Sequence, residues 1–146
     1  MRVRRFHRQP EPTVRSLMAT EAITISPRAS LTEAAVHMRA HRVGALAVID
    51  DDRLVGILTE RDLLRAVAEG RDPAATAVAI GMTADPRSIG PDQPAEEAAS
   101  MMIALGVRHL PVVEGSRIVG FLSARDLLRL RRPRSVDWDE LAHEPW

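Results

Sequence analysis

The middle of this chain is written twice. Residues 18–65 align with residues 82–129 at a constant shift of 64 residues and without a gap. In the second half of each copy, Arg53-Leu54-Val55-Gly56-Ile57-Leu58-Thr59-Glu60-Arg61-Asp62-Leu63-Leu64-Arg65 faces Arg117-Ile118-Val119-Gly120-Phe121-Leu122-Ser123-Ala124-Arg125-Asp126-Leu127-Leu128-Arg129. A unit of this size buries too small a core to stand alone, so the two copies are expected to share one about an approximate two-fold axis. At 146 residues, 45% hydrophobic and 27% charged, the chain has room for one compact domain or two small, intimately packed ones.

Each copy reads in the same local order. In the first, residues 23–25 form a short strand closed by Pro27. Ser30 then opens an amphipathic helix with Leu31, Ala34, Ala35 and Met38 at helical spacing on its apolar face, ending near residues 42–44. Residues 45–49 and 54–58 are apolar strands around the polar turn Asp50-Asp51-Asp52-Arg53, an antiparallel hairpin, and Thr59 starts a second helix that Gly70 stops. The second copy repeats this with a strand near Ile89, a helix over 94–105, strands over 109–113 and 118–122, and a helix from Ser123. The fold class is therefore α/β (α+β), two β-α-β-β-α units packed as a pseudo-two-fold pair. Residues 74–82 read as a short helix leading into the second unit, as 13–18 lead into the first. The expected organisation is a basic tail over 1–12, a first unit over 13–70, a linker over 71–76, a second unit over 77–130 and a tail over 131–146.

Composition narrows the chemistry. There is no cysteine, which removes disulfides, thiol nucleophiles and thiolate metal sites and suits a reducing cytosol. No apolar run is long enough to span a bilayer, and the basic N-terminus lacks the apolar stretch of a secretory signal, so the expected location is cytoplasmic. Twenty basic residues balance twenty acidic ones, leaving no global field toward nucleic acid or anionic membrane. Arg2, Arg4, Arg5 and Arg8 at one end, and Asp137, Asp139, Glu140 and Glu144 at the other, read as solvated tails. His7, His37, His41, His109 and His143 show no metal-ligand spacing with a carboxylate partner, and there is neither a glycine-rich phosphate loop nor a Gly-x-Ser-x-Gly elbow. No metal, catalytic residue or required cofactor is expected.

The apolar-faced helix, then Val107-Arg108-His109-Leu110-Pro111-Val112-Val113, then Arg117-Ile118-Val119-Gly120-Phe121-Leu122-Ser123-x-x-Asp126, resembles the cystathionine-β-synthase (CBS) domain. The first copy resembles it through residues 43–49 and Leu54-Val55-Gly56-Ile57-Leu58-Thr59-x-x-Asp62. The resemblance covers about residues 13–130 and is closest in kind to stand-alone bacterial proteins made of one CBS pair. It implies a disc-like pair with two clefts between the units, which in many members bind AMP, ADP, ATP, NAD or S-adenosylmethionine. It also implies a homodimer, formed by burying helix faces against a second disc, and a regulated protein partner that the sequence does not identify.

The resemblance makes Asp62 and Asp126 the ribose-binding candidates, because a carboxylate accepts hydrogen bonds from two neighbouring hydroxyls. Thr59 and Ser123 stand where strand turns into helix, where a hydroxyl, free amides and the positive helix end offer a phosphate seat. Arg61 and Arg125 lie between those positions and either neutralise phosphate or face solvent. Arg108 and His109 match positions from which basic residues reach phosphate in nucleotide-binding relatives; the bland alternatives are a helix-end cation and a strand-edge residue. The first copy has Gly44 and Ala45 there, so two clefts of unequal charge are expected. Ile25 and Ile89 line either core or an adenine pocket. Thr59-x-x-Asp62 and Ser123-x-x-Asp126 also read as helix caps that need no ligand. Three functions follow: a nucleotide-sensing regulatory module, a ligand-independent dimeric scaffold, and nucleic-acid binding through the N-terminal arginines.

Overall fold

A computed structural model of the chain describes residues 10–131. The arginine tail over 1–9, the acidic residues from Asp137 onward and both tryptophans, Trp138 and Trp146, lie outside the described residues. The first unit contains β1 (Thr24–Ile25), α2 (Leu31–His41), β2 (Ala45–Asp50), β3 (Arg53–Thr59) and α3 (Glu60–Ala68). The second contains α5 (Ala95–Leu105), β5 (His109–Glu114), β6 (Arg117–Ser123) and α6 (Ala124–Leu128), which runs into a 3-10 turn at Arg129–Arg131. The single-turn helices α1 (Val14–Leu17) and α4 (Val78–Gly81), and the strand β4 (Thr83–Ala84), complete the chain.

Local chemistry sets the boundaries. Ser30 caps α2 in a reciprocal box with Glu33: the Glu33 amide donates to Ser30 Oγ at 3.1 Å, and the Ser30 amide to Glu33 Oε2 at 2.6 Å. α2 ends on Arg42 in the left-handed region at φ 53°, and α5 ends at the equivalent position on Gly106 at φ 66°. Glycine takes that conformation without the Cβ strain that Arg42 bears. In the first hairpin Asp51 and Asp52 have φ of 47° and 61° between the paired Asp50 and Arg53. Two left-handed residues make the tight turn whose twist matches that of the strands, so the three aspartates serve the hairpin.

The first sheet has the order β1-β2-β3-β4, with β1 parallel to β2 and the other pairs antiparallel. In the second, β5 and β6 pair as a hairpin. The outer positions are reduced to single bridges, Ile89 parallel to Val112 and Ala19 antiparallel to Phe121. The strand expected near Ile89 is thus one bridged residue. Both faces of β2 are buried, and its side chains alternate between them: Leu46 and Val48 join the first core with Leu31, Ala34, Met38 and Leu58, while Ala45 and Ala47 join Ile57 and Phe121 in a cluster between the sheets. A second core forms on Leu110, Val112 and Leu122 with Ala98 and Met102 of α5. The layers run helices, sheet, sheet, helices.

The lead-in segments pack where the sequence order does not put them. Val14 of α1, expected to introduce the first unit, is fully buried in the second core; Val78 of α4, expected to introduce the second, is fully buried in the first. Residues 19 and 83–84 then extend the sheet of the unit on which their helix packs. The Ala19 and Phe121 amides exchange bonds with each other's carbonyls at 2.8 and 3.0 Å. This explains a glycine that the repeat keeps: a Cβ on Gly120 would collide with the Ala19 carbonyl oxygen, and one on Gly56 with Met82 Sδ.

Candidate functional site

Both Thr/Ser-x-x-Asp motifs form the reciprocal cap. Asp62 Oδ2 accepts from the Thr59 amide at 2.9 Å and from the Thr59 hydroxyl at 3.0 Å, while the Asp62 amide donates to Thr59 Oγ1 at 3.3 Å. Ser123 and Asp126 repeat this at 2.8, 3.0 and 3.2 Å. The cap occupies one oxygen of each carboxylate. The other oxygen of Asp62, Oδ1, accepts from Arg65 at 3.3 Å, although Asp62 is only 6% exposed and the arginine is largely in solvent. A carboxylate has about four acceptor sites, so the cap leaves Oδ1 able to take a ligand hydroxyl.

A cavity of about 500 Å³ opens between the units, within the size range of small-molecule sites. Its first wall is the start of α3, with Thr59, Arg61 and Asp62; its second is the junction of α5 and β5, with Arg108 and His109; the loop after β4 closes it with Asp85 and Arg87. Five of the sequence candidates, Thr59, Arg61, Asp62, Arg108 and His109, therefore meet in one cleft. Ser123, Arg125 and Asp126 do not line it. Ile25 is buried in the first core and touches a separate, shallower cavity beside Glu33 and His37, and Ile89 is buried in the second core. The sequence had singled out neither Arg65, Asp85 nor Arg87. Arg65 had a signal, one turn after Asp62 on the same helix face; the other two reach the cleft only because α4 and β4 pack on the first unit.

The cleft is mixed in charge, with four arginines, Arg61, Arg65, Arg87 and Arg108, and three carboxylates, Glu60, Asp62 and Asp85. His109 is half-buried at the start of β5. Burial lowers its pKa below the ordinary 6.5; Glu60 and then Asp126 oppose this, and Arg108 adds to it. The imidazole is consequently neutral at pH 7, offering one donor and one acceptor. Among the described residues no group of three or more His, Asp or Glu side chains is placed to hold a metal ion, and no helix is long and apolar enough to cross a membrane.

Two units of one design, a reciprocal cap at the head of each last helix and a cleft between them define a paired-domain module. The CBS domain family model matches residues 14–69 and 76–132, and the chain belongs to that family. CBS pairs are regulatory modules. The chain is 37% identical to the CBS domain-containing protein YhcV of Bacillus subtilis over 116 residues, 79% of this chain and 82% of that one. The solved CBS-domain protein ATU1752 of Agrobacterium tumefaciens superposes with a TM-score of 0.78 at 32% identity, covering 83% of this chain and 100% of that one. The CBS domain pair of protein MJ0100, solved in complex with 5′-methylthioadenosine and S-adenosyl-L-methionine, gives 0.78 at 27% identity over 84% of this chain and 97% of that one.

Proposed function

We propose that this chain is a non-catalytic, cytoplasmic sensor that binds an adenosine-containing ligand (AMP, ADP, ATP, NAD or S-adenosylmethionine) between its two CBS units, over about 13–70 and 77–130, and thereby modulates a protein partner. The observation that supports it is the meeting of Thr59 and Asp62 from one unit with Arg108 and His109 from the other in a single cleft. Asp62 Oδ1 takes a ribose hydroxyl in place of Arg65. The Arg61 and Arg108 guanidiniums, which line the same cleft, take the ligand's polar end. A ligand that touches both units favours the arrangement in which the walls are closest, and that differential affinity is what a partner senses. Titration calorimetry with the five ligands tests this: heat at micromolar to millimolar ligand, weakened at least about tenfold by Asp62→Ala, is the expected result. No heat and no thermal shift at millimolar concentration overturns it.

One observation favours a second reading, a dimeric scaffold independent of ligand. Leu64 of α3 and Leu128 of α6 hold the same position in the repeat and are 69% and 67% exposed. Paired apolar positions on two pseudo-equivalent helices suit burial against a second copy. On this reading the chain sediments as a dimer without any small molecule, and Leu64→Asp with Leu128→Asp makes it a monomer.

A further inference from the structure

Position 60 breaks the symmetry of the repeat. The backbone is alike in both copies: the Glu60 amide donates to the Gly44 carbonyl at 3.0 Å, and the Ala124 amide to the Arg108 carbonyl at 2.8 Å. The side chains are exchanged in size and charge. Where the second copy sets Arg108 beside Ala124, the first sets Gly44 beside Glu60. The Glu60 side chain lies folded over Gly44, its Oε1 filling the place of a Cβ there, with Cδ 3.2 Å and Cγ 3.5 Å from that point. Only glycine at 44 lets the carboxylate rest against the backbone. Glu60 and Gly44 both line the cleft, and the Glu60 charge acts on His109 from the opposite unit. None of the ion pairs among the described residues uses Glu60.

We propose that Glu60 shifts the charge preference of this cleft, against the pull of Arg61, Arg65, Arg87 and Arg108, away from an adenosine ligand with a 5′-phosphate and toward one whose 5′ substituent is neutral or cationic. The proposal rests on the adenosine reading above. A phosphate drawn to Arg108 is repelled by the carboxylate that shares the cleft; a thioether feels neither, and a sulfonium is attracted to the carboxylate. Glu60 is exposed, so the effect is moderate and largest at low ionic strength.

Three probes that differ at the 5′ position separate the possibilities: AMP is anionic, 5′-methylthioadenosine neutral, S-adenosylmethionine cationic. Calorimetric affinities at low salt are compared between the full chain, Glu60→Gln, which keeps the size of the side chain, and Gly44→Ala, which displaces the carboxylate. With 5′-methylthioadenosine as the reference for an intact pocket, Glu60→Gln is expected to strengthen AMP by about fivefold and to weaken S-adenosylmethionine by a similar factor. Gly44→Ala is expected to move both ratios in the same direction. If 5′-methylthioadenosine binds both proteins alike and neither ratio moves by twofold, the proposal falls and the adenosine reading stands. If no probe binds the unmodified chain, both fall.

Discussion

Asp62 and Asp126 show how one side chain satisfies two readings of a sequence. The spacing Thr/Ser-x-x-Asp fits a helix cap and, through the family resemblance, a ribose contact. The structure builds the cap at both sites and leaves Asp62 Oδ1 bonded only to Arg65, which is itself mostly in solvent. His109 illustrates the reverse: its residue type was legible, but its state depended on burial by a unit distant in sequence. Because its pKa in the folded chain lies below 6.5, the unfolded chain takes up the proton first as pH falls. The stability tied to neutral His109 is therefore fully present above pH 6.5 and lost as pH falls through 6.5 toward the folded value. Urea denaturation at a series of pH values is expected to show this decline in the natural chain and a flatter profile for His109→Gln.

The strands and helices were readable as elements because each has a local cause. Ser30, Thr59 and Ser123 start helices, Arg42 and Gly106 end them, and Asp51-Asp52 turns a hairpin. The strand near Ile89 and the extra strand β4 were less legible, because residues in one or two ladder positions have no period to read. The repeated glycine marks where such a short strand docks. Gly120→Ala sets a methyl against the backbone carbonyl of Ala19, which cannot move without breaking its own pairing; Gly56→Ala meets the flexible end of Met82 first. Gly120→Ala is expected to destabilise by about 1–3 kcal/mol and Gly56→Ala by less, measured from urea midpoints at constant slope.

At the scale of the molecule, the exchange of α1 and α4 joins the two units into one cooperative body. Each core contains a fully buried valine delivered from beside the other unit, Val14 in the second and Val78 in the first. Val14→Ala and Val78→Ala are each expected to cost about 2 kcal/mol and to lower one common transition, followed by circular dichroism and by hydrogen exchange in both cores. Separate transitions for the two units would contradict this. The sequence by itself determined the duplication, the order of elements in each unit, the caps and the turns, because periodicity, capping and turn chemistry act between near neighbours in the chain; Thr59, Arg61, Asp62, Arg108 and His109, which line one cleft, were candidates through the family resemblance. The tertiary structure alone decided which lead-in helix serves which core, that Asp85 and Arg87 line the same cleft as Arg108, and that Glu60 lies over Gly44. Those contacts join residues whose encounter depends on how the two sheets stack, and no local period records it.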